Sequence, residues 1–250
     1  IKRDDITGVI VTHGTDTLEE TAYLLDLTVQ STKPIVVVGA MRNSSELGYD
    51  GSSNLSAAIC TAISKNAINK GVLVVMNNEV NAASEVTKTN TLALDTFKSP
   101  EFGPLGIVDN DEVIFYRDIV KKQHIKTNSI EDKVALIKCC PGIQSDIIDF
   151  YIENDYRGIV IEALGRGNIP PDMVHGVEKA IDKGIPVVMV SRCPTGRVLD
   201  TYGYEGGGKH LRDLGVIFGK NLPGQKARIK LMLILSLTKD IDIIKSIFED

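Results

Sequence analysis

The sequence predicts an α/β protein of two domains, with mostly parallel sheets and helices on both faces. Short runs of β-branched residues alternate along the 250-residue chain with segments of helical periodicity, which is the pattern of βαβ units. Several of these runs are apolar at every position, as expected for strands covered on both faces. Hydrophobic residues make up 43% of the chain and charged residues 24%, which fits a globular protein with a sizeable core.

Strands and helices are predicted to alternate from residue 8 onward. The strands are Gly8–Thr12, Pro34–Gly39, Gly71–Met76, Val134–Lys138, Gly158–Ile161 and Ile185–Val190. The helices are Leu18–Val29, Asn54–Lys65, Ser145–Glu153, Pro171–Lys183 and Pro223–Leu237. The first helix opens with Thr17 and, three residues later, Glu20, which fits a capping box.

The segment KKQHIKTNSIE, residues 121–131, is polar and lacks periodicity, so it is predicted to link two domains. Residues 1–120 would form the larger, N-terminal α/β domain, and residues 132–250 a smaller, doubly wound C-terminal domain. The sequence begins without methionine, a few residues before a strand. The start of the first domain is therefore expected to lie upstream.

The charge and hydropathy exclude several classes of partner. A net charge of −5 argues against nucleic acid or an anionic membrane as the partner. No apolar run reaches the roughly 18 residues of a membrane span. The four cysteines show no metal-ligand spacing, which favours a reducing, cytoplasmic compartment. A secreted or periplasmic location stays open because the N-terminal start is expected to lie upstream.

Polar segments follow each of the first three predicted strands. They read HGTDT after Val11, AMRNSSELGYDGSSN after Val38 and NNEVNAASEVTKTNT after Val75. The carboxyl ends of parallel strands meet at one edge of a sheet, where ligands bind in such folds. The second and third segments exceed the usual 2–6 residues of a connector, so they are expected to carry function.

The first of these segments could bind an α-amino acid. The helix that starts near Thr17 offers free N–H groups to a carboxylate close to Gly14, and Asp16 offers a charge to an ammonium. The alternative is that Asp16 and Thr17 only cap the helix. Lys88, with Thr15 and Asp16, would form a hydroxyl–amine–carboxylate set; alternatively, it is an exposed loop lysine.

Two further segments are interpreted without a catalytic role. His13 is expected to be structural: its ring either only forms hydrogen bonds to the backbone or shapes the loop that follows the first strand. The segment Glu205-Gly206-Gly207-Gly208-Lys209 lacks the spacing of a phosphate-binding loop, and a mobile loop is expected there.

Motifs along the whole chain resemble the bacterial L-asparaginases. They are, in order, THGTDT with LEETAYLLDL, KPIVVVGAMR, DGxxNL, GVLVVMN, VTKTNT, GRGN, SRCPTG and PGQKARIKLMLILSLTKD. The resemblance implies hydrolysis of the asparagine side-chain amide to aspartate and ammonia through a threonine nucleophile and an acyl-enzyme. It implies no metal and no organic cofactor.

The resemblance also implies roles for individual residues. Thr15, Asp16 and Lys88 match the family's hydroxyl–carboxylate–lysine triad, and Asp16 would also receive the substrate ammonium. Gly14 lies where the backbone contacts the substrate carboxylate. The carbonyl of Ala40 matches the acceptor for the scissile amide.

Other implied residues belong to a neighbouring subunit. Asn168, in GRGN, matches a residue that reaches the active site across a subunit interface, in a homo-oligomer that is usually a dimer of dimers. The family's partner-chain glutamate after PTG has no clear counterpart here, and Tyr202, Tyr204 or Glu205 are the candidates. The family's first catalytic threonine, in a TGGTIA element, is absent from this sequence, as is a later DS element. Both are expected upstream.

Two alternatives to a free asparaginase follow from the same motifs. One is the glutaminase subunit of a tRNA-dependent amidotransferase, which shares this core. The other is an amino-acid-binding homologue that has lost its chemistry.

Overall fold

The computed structural model describes residues 1–119 and 122–249, which form two compact units, Ile1–Lys126 and Thr127–Asp250. Each unit has its own sheet and its own apolar core. The predicted two-domain α/β class is confirmed. The predicted boundary between residues 120 and 121 lies outside the described residues. The two units are almost equal in length.

The first unit begins with strands and helices in alternation and continues with strands. The elements are β1 (Val9–Thr12), α1 (Leu18–Thr28), β2 (Ile35–Val38), α2 (Gly51–Ile63), β3 (Val72–Met76), β4 (Glu79–Ala82), β5 (Thr87–Lys88), β6 (Phe97–Lys98), β7 (Gly106–Asp109) and β8 (Glu112–Phe115). The main sheet has the order β1-β2-β3-β4-β7-β8. Both α1 and α2 pack against its parallel strands, whose side chains are buried in β2 and β3.

Half of this sheet is antiparallel, which the sequence analysis did not predict. Strands β1, β2 and β3 are parallel, but β4, β7 and β8 pair antiparallel to their neighbours. Asn77 and Asn78 have φ of 50° and 60° and form the two-residue turn from β3 to β4. Asn110 and Asp111, with φ of 48° and 65°, do the same between β7 and β8. Asparagine tolerates this left-handed backbone, so both dipeptides favour tight hairpins.

Strands β5 and β6 form a separate two-stranded sheet. Thr87 pairs with Lys98, and Lys88 pairs with Phe97. The Phe97 side chain is 1% exposed and belongs to the core of the first unit. The third polar segment is therefore not one long loop, because it runs back along β4 before it reaches β5.

The second unit has a fully parallel sheet of order β12-β11-β10-β9. Its elements are β9 (Val134–Lys138), α3 (Asp146–Glu153), β10 (Gly158–Ala163), α4 (Val174–Asp182), β11 (Val187–Ser191), α5 (Gly208–Leu214), β12 (Ile217–Phe218), α6 (Gly224–Leu235) and α7 (Ile241–Glu249). Helix α6 packs against β9, β10 and β11, and α7 packs against β12. Helices α5 and α7 and strand β12 were not predicted from the sequence. Within the described ranges, no helix has the length and apolarity needed to cross a bilayer.

Replacement of Phe97 by alanine tests whether β6 anchors the small sheet to the core. We expect Phe97→Ala to lower the free energy of unfolding of the first unit by about 3–5 kcal/mol, because it leaves a cavity under β5 and β6. Phe102 is 52% exposed, so Phe102→Ala should cost less than about 0.5 kcal/mol. Hydrogen exchange of the β3 amides in the presence of urea measures both changes. Equal effects of the two substitutions would contradict the anchoring role.

Candidate active site

The connection from β1 to α1 is held in shape by His13. Its backbone N–H donates to the Val38 carbonyl at 2.8 Å, which extends the pairing with β2. Ring atom Nδ1 lies 2.7 Å from the Gly14 carbonyl, and Nε2 lies 3.0 Å from the Thr21 hydroxyl. Because a carbonyl can only accept, Nδ1 donates to Gly14. These contacts agree with the predicted loop-shaping role of His13.

The start of α1 differs from the predicted capping box. Thr17 is the N-cap residue, but its side chain makes no capping hydrogen bond. The acidic residue that the structure buries is Glu19, which is 6% exposed. Its Oε1 accepts hydrogen bonds from the Thr87 hydroxyl at 3.1 Å and from the Lys88 backbone N–H at 3.2 Å. The first turn of α1 is thus bonded to β5, a tertiary contact that local sequence rules do not describe.

Thr15, Asp16 and Lys88 lie together beside this first turn. Lys88 Nζ is 3.0 Å from Thr15 Oγ1 and 2.9 Å from Asp16 Oδ1. The Lys88 side chain is 17% exposed and that of Asp16 is 96% exposed. An ion pair with one partner in water contributes little to stability, so its value here is positional. Neither an exposed loop lysine nor an Asp16 that only caps α1 accounts for these contacts.

The carboxylate of Asp50 organises the loop that follows β2. Its oxygens accept hydrogen bonds from the backbone N–H groups of Met41 at 3.0 Å and Arg42 at 2.9 Å, and from the Asn54 amide at 2.9 Å. Burial acts to raise the pKa of Asp50, but these donors outweigh it and hold the pKa below its usual range. The loop bearing Ala40 is thereby fixed from its C-terminal side.

Asn54 ties the same loop to the end of β3. Its side-chain amide also donates to the Gly39 carbonyl at 3.0 Å, and its oxygen accepts from the Asn77 N–H at 2.9 Å. Asn54 is buried on α2. It therefore joins the segments that leave β2 and β3, and it leaves the Ala40 carbonyl without a hydrogen-bond donor in the described part of the chain.

Two open clefts flank the β1–α1 connection. One, of about 350 Å³, lies at the ends of β1 and β2 and is lined by His13, Gly14, Ala40, Tyr49 and Leu55, among others. The other, of about 320 Å³, is lined by Asp16, Lys88, Thr89, Asn90 and Thr91. The predicted residues Gly14 and Ala40 thus share one cleft, and Asp16 and Lys88 share the next one.

Comparisons with known proteins identify the family. A model of the N-terminal asparaginase domain matches residues 1–121, and a model of the glutaminase/asparaginase C-terminal domain matches residues 133–248. The chain belongs to the asparaginase family.

Curated relatives include both free enzymes and amidotransferase subunits. The L-asparaginase of Bacillus licheniformis is 37% identical over 93% of this chain and 72% of its own length. The probable periplasmic L-asparaginase of Haemophilus influenzae is 40% identical over 97% of this chain and 70% of its own length. A glutamyl-tRNA(Gln) amidotransferase subunit of Pyrococcus abyssi is 36% identical over 95% of this chain but only 56% of its own length.

In the second unit of this asparaginase-family chain, the structure brings the GRGN turn beside the segment that carries Tyr202, Tyr204 and Glu205. Asn168 Oδ1 accepts from the Gly208 N–H at 3.3 Å, at the start of α5. The rings of Tyr202 and Tyr204 lie 5.6 Å apart, and both are exposed, as is Glu205. No single residue among these three is set apart as a partner-chain group.

The glycines after Glu205 are closely packed within the second unit, where the sequence predicted a mobile loop. Gly206, Gly207 and Gly208 are buried. A side chain at Gly206 would meet the Ile169 carbonyl at 2.4 Å, and φ is 79° there. Glycine is therefore required for close packing of two backbone segments, not for flexibility.

The residues that the sequence analysis missed act on the backbone around the site. Asp50 and Asn54 belong to the DGxxNL motif, which was noted without an assigned role. Glu19 carried no signal of its own, because it sits beside a second glutamate in the first turn of a helix. Its importance depends on β5, which is distant in sequence.

Replacement of Asp50 by asparagine tests the loop anchor and its dependence on pH. We expect Asp50→Asn to lower the free energy of unfolding by about 1–2 kcal/mol at pH 7, reduced from a fully buried value because the carboxylate is partly solvated. The folded-state pKa is lowered, so this stabilisation is present above the unfolded pKa of about 3.9 and disappears as the pH falls through the folded pKa. Urea unfolding of both proteins between pH 3 and pH 7 measures the gap. A gap that widens as the pH falls would contradict this assignment.

Proposed function

We propose that this asparaginase-family chain hydrolyses the side-chain amide of L-asparagine to L-aspartate and ammonia. The observation that carries the proposal is the position of the Lys88 amine, within 3.0 Å of a threonine hydroxyl and within 2.9 Å of a carboxylate. An amine that contacts a hydroxyl on one side and a carboxylate on the other can activate the hydroxyl as a nucleophile. Family membership supports the same chemistry.

The clefts around Thr15 offer groups for each part of an α-amino acid. Asp16 keeps one carboxylate oxygen without a hydrogen bond to any described residue, and this oxygen would receive the substrate ammonium. The substrate carboxylate would lie by the backbone at Gly14, near the N-terminal end of α1, where the helix favours negative charge. The Ala40 carbonyl would accept a hydrogen bond from the scissile amide.

In the proposed reaction, a threonine hydroxyl oxygen adds to the amide carbon, and the carbonyl electron pair moves onto oxygen. For this step Lys88 must be the neutral amine and not the ammonium of the ion pair; it then accepts the hydroxyl proton, and Asp16 stabilises the ammonium that forms. Collapse of the tetrahedral intermediate breaks the carbon–nitrogen bond, and the returned proton leaves with ammonia. Water then cleaves the threonine ester, which frees aspartate and restores the hydroxyl. Thr15, which contacts Lys88, is the threonine of this sequence that we propose for this chemistry, and the family motif implies a second catalytic threonine.

We also propose that the working site is shared between subunits of a homo-oligomer, built as a dimer of dimers. Asn168 and one of Tyr202, Tyr204 and Glu205 would come from the neighbouring subunit. Two observations support this proposal. Asn168 is hydrogen-bonded to Gly208 at the start of α5, next to the segment that carries the two tyrosines and Glu205. The side chains of these three residues are exposed. The proposed partners are L-asparagine and other copies of the chain, and the proposed location is the cytoplasm.

The glutaminase subunit of an amidotransferase is the second candidate. It is favoured by the match to relatives of that name, at 36% identity over 95% of this chain. The L-asparaginases match a larger share of their own length, which favours the free enzyme. An ammonia assay that compares asparagine, glutamine and D-asparagine separates the two candidates, since only the free enzyme should prefer L-asparagine without a partner subunit.

Removal of either charged group of the triad should abolish turnover. We expect Lys88→Ala and Asp16→Asn each to reduce ammonia release from asparagine by at least about a hundredfold in the complete gene product, because both serve one proton-transfer step. Lys98→Ala is the matched control: Lys98 is on the adjacent strand β6 and pairs with Glu79 at 2.7 Å, outside the triad. Turnover within a few-fold of the unchanged protein in either triad variant would refute the assignment.

A shared site should allow complementation. We expect Lys88→Ala and Asn168→Ala chains, each weakly active alone, to recover up to about a quarter of normal activity when mixed oligomers are refolded together. Random assembly restores some sites, since each mixed interface can combine an intact Lys88 with an intact Asn168. Activity of the mixture no higher than the average of the two separate variants would speak against a shared site.

A further inference from the structure

Glu19 is a buried carboxylate that bonds to the strand carrying Lys88. Its Oε1 accepts from the Thr87 hydroxyl and from the Lys88 backbone N–H, and these two residues are the whole of β5. A buried carboxylate is costly unless it is hydrogen-bonded, and bonds to a charged acceptor are the strong ones. The position at the N-terminal turn of α1 adds a favourable helix dipole. The contact is therefore a firm link between α1 and β5.

Strand β5 needs such a link, because it does not belong to the six-stranded sheet. Among the described strands, its ladder partner is β6 alone. The Thr89 N–H and hydroxyl both donate to the Thr96 carbonyl on the β6 side, at 2.9 and 2.8 Å. Those bonds hold the small sheet together. They do not set its distance from the segment before α1, where Thr15 and Asp16 lie.

We propose that Glu19 is a positioning residue for the reaction: it holds the Lys88 backbone against α1, so that Nζ stays within hydrogen-bond distance of Thr15. This inference rests on the proposed function. Thr15 is four residues before Glu19, and the intervening chain enters a regular helix. The hydroxyl of Thr15 and the carboxylate that binds the Lys88 backbone are thus only four residues apart, in the turn that leads into α1 and in its first helical turn. A displacement of about 1 Å between reacting groups typically costs about a hundredfold in rate.

The test compares Glu19→Ala with Asp26→Ala in the complete gene product. Asp26 is also on α1, and its Oδ1 accepts a backbone N–H, from Val72 at 2.8 Å, so its loss controls for a missing carboxylate–backbone bond. We expect Glu19→Ala to lower kcat about a hundredfold per folded molecule, with KM changed less than threefold. Asp26→Ala should leave both constants within threefold while reducing thermal stability.

A second readout follows Lys88 without turnover. The Lys88 amine is labelled with an amine-selective acylating reagent, and the rate is measured by mass spectrometry of the Lys88 peptide. We expect labelling about tenfold faster in Glu19→Ala, since the side chain loses its fixed place, and unchanged in Asp26→Ala. Glu19→Gln keeps an acceptor oxygen and should restore most of both properties.

Each outcome bears on the proposal. The proposal is overturned if Glu19→Ala keeps kcat within threefold of normal. It is also overturned if Asp26→Ala loses as much kcat, and as much protection of Lys88 from labelling, as Glu19→Ala does. If the unchanged protein does not hydrolyse asparagine but Lys88 labelling still depends on Glu19, the proposed function fails and the positioning role stands. Should Glu19→Ala not fold, Thr87→Val removes one of the two bonds at constant volume. It should lower kcat about tenfold, and Thr87→Ser should restore it; no loss in Thr87→Val would also overturn the proposal.

Discussion

The candidate site depends on one constraint. Strand β5, which is short and lies outside the main sheet, must hold the Lys88 amine next to the segment that precedes α1. Thr15 and Asp16 are fixed by β1 and by α1, both parts of the main core. Lys88 is not, because β5 lies outside the main sheet. The hydrogen bonds to Glu19 and the packing of Phe97 in the core both reduce the freedom of that strand.

The opposite side of the site is organised differently. There, the described side chains act on the backbone of loops and turns and not on Thr15. Asp50 and Asn54 bind the backbone of the loop after β2 and that of the turn after β3, so the carbonyl at Ala40 stays available. Side-chain carboxylates and amides are well suited to this task, since they satisfy the N–H and C=O groups that a loop outside the sheet would otherwise leave unpaired.

The sequence was sufficient for the fold class and for the residues that the site brings together. Strands β1–β3 were predicted because they are nearly continuous apolar runs. Thr15, Asp16 and Lys88 were predicted from their motifs. The antiparallel half of the first sheet was missed, although the Asn77-Asn78 and Asn110-Asp111 pairs are hairpin signals. The burial of Glu19 could not be predicted in this way. Local sequence rules distinguish adjacent glutamates only by their place in the helical turn. The burial of Glu19 depends instead on its contacts with β5, about 70 residues later in the chain.

Because β5 and β6 form a separate sheet, the stability of the site also differs from the stability of the whole molecule. A two-stranded sheet of this size is marginal by itself and persists through its attachments. It can detach in a local opening that leaves the six-stranded sheet and both helices intact, at a free energy below that of global unfolding. Heat or mild denaturant would then abolish activity before it unfolds the six-stranded sheet. The loss of activity and the loss of secondary structure would be two separate transitions.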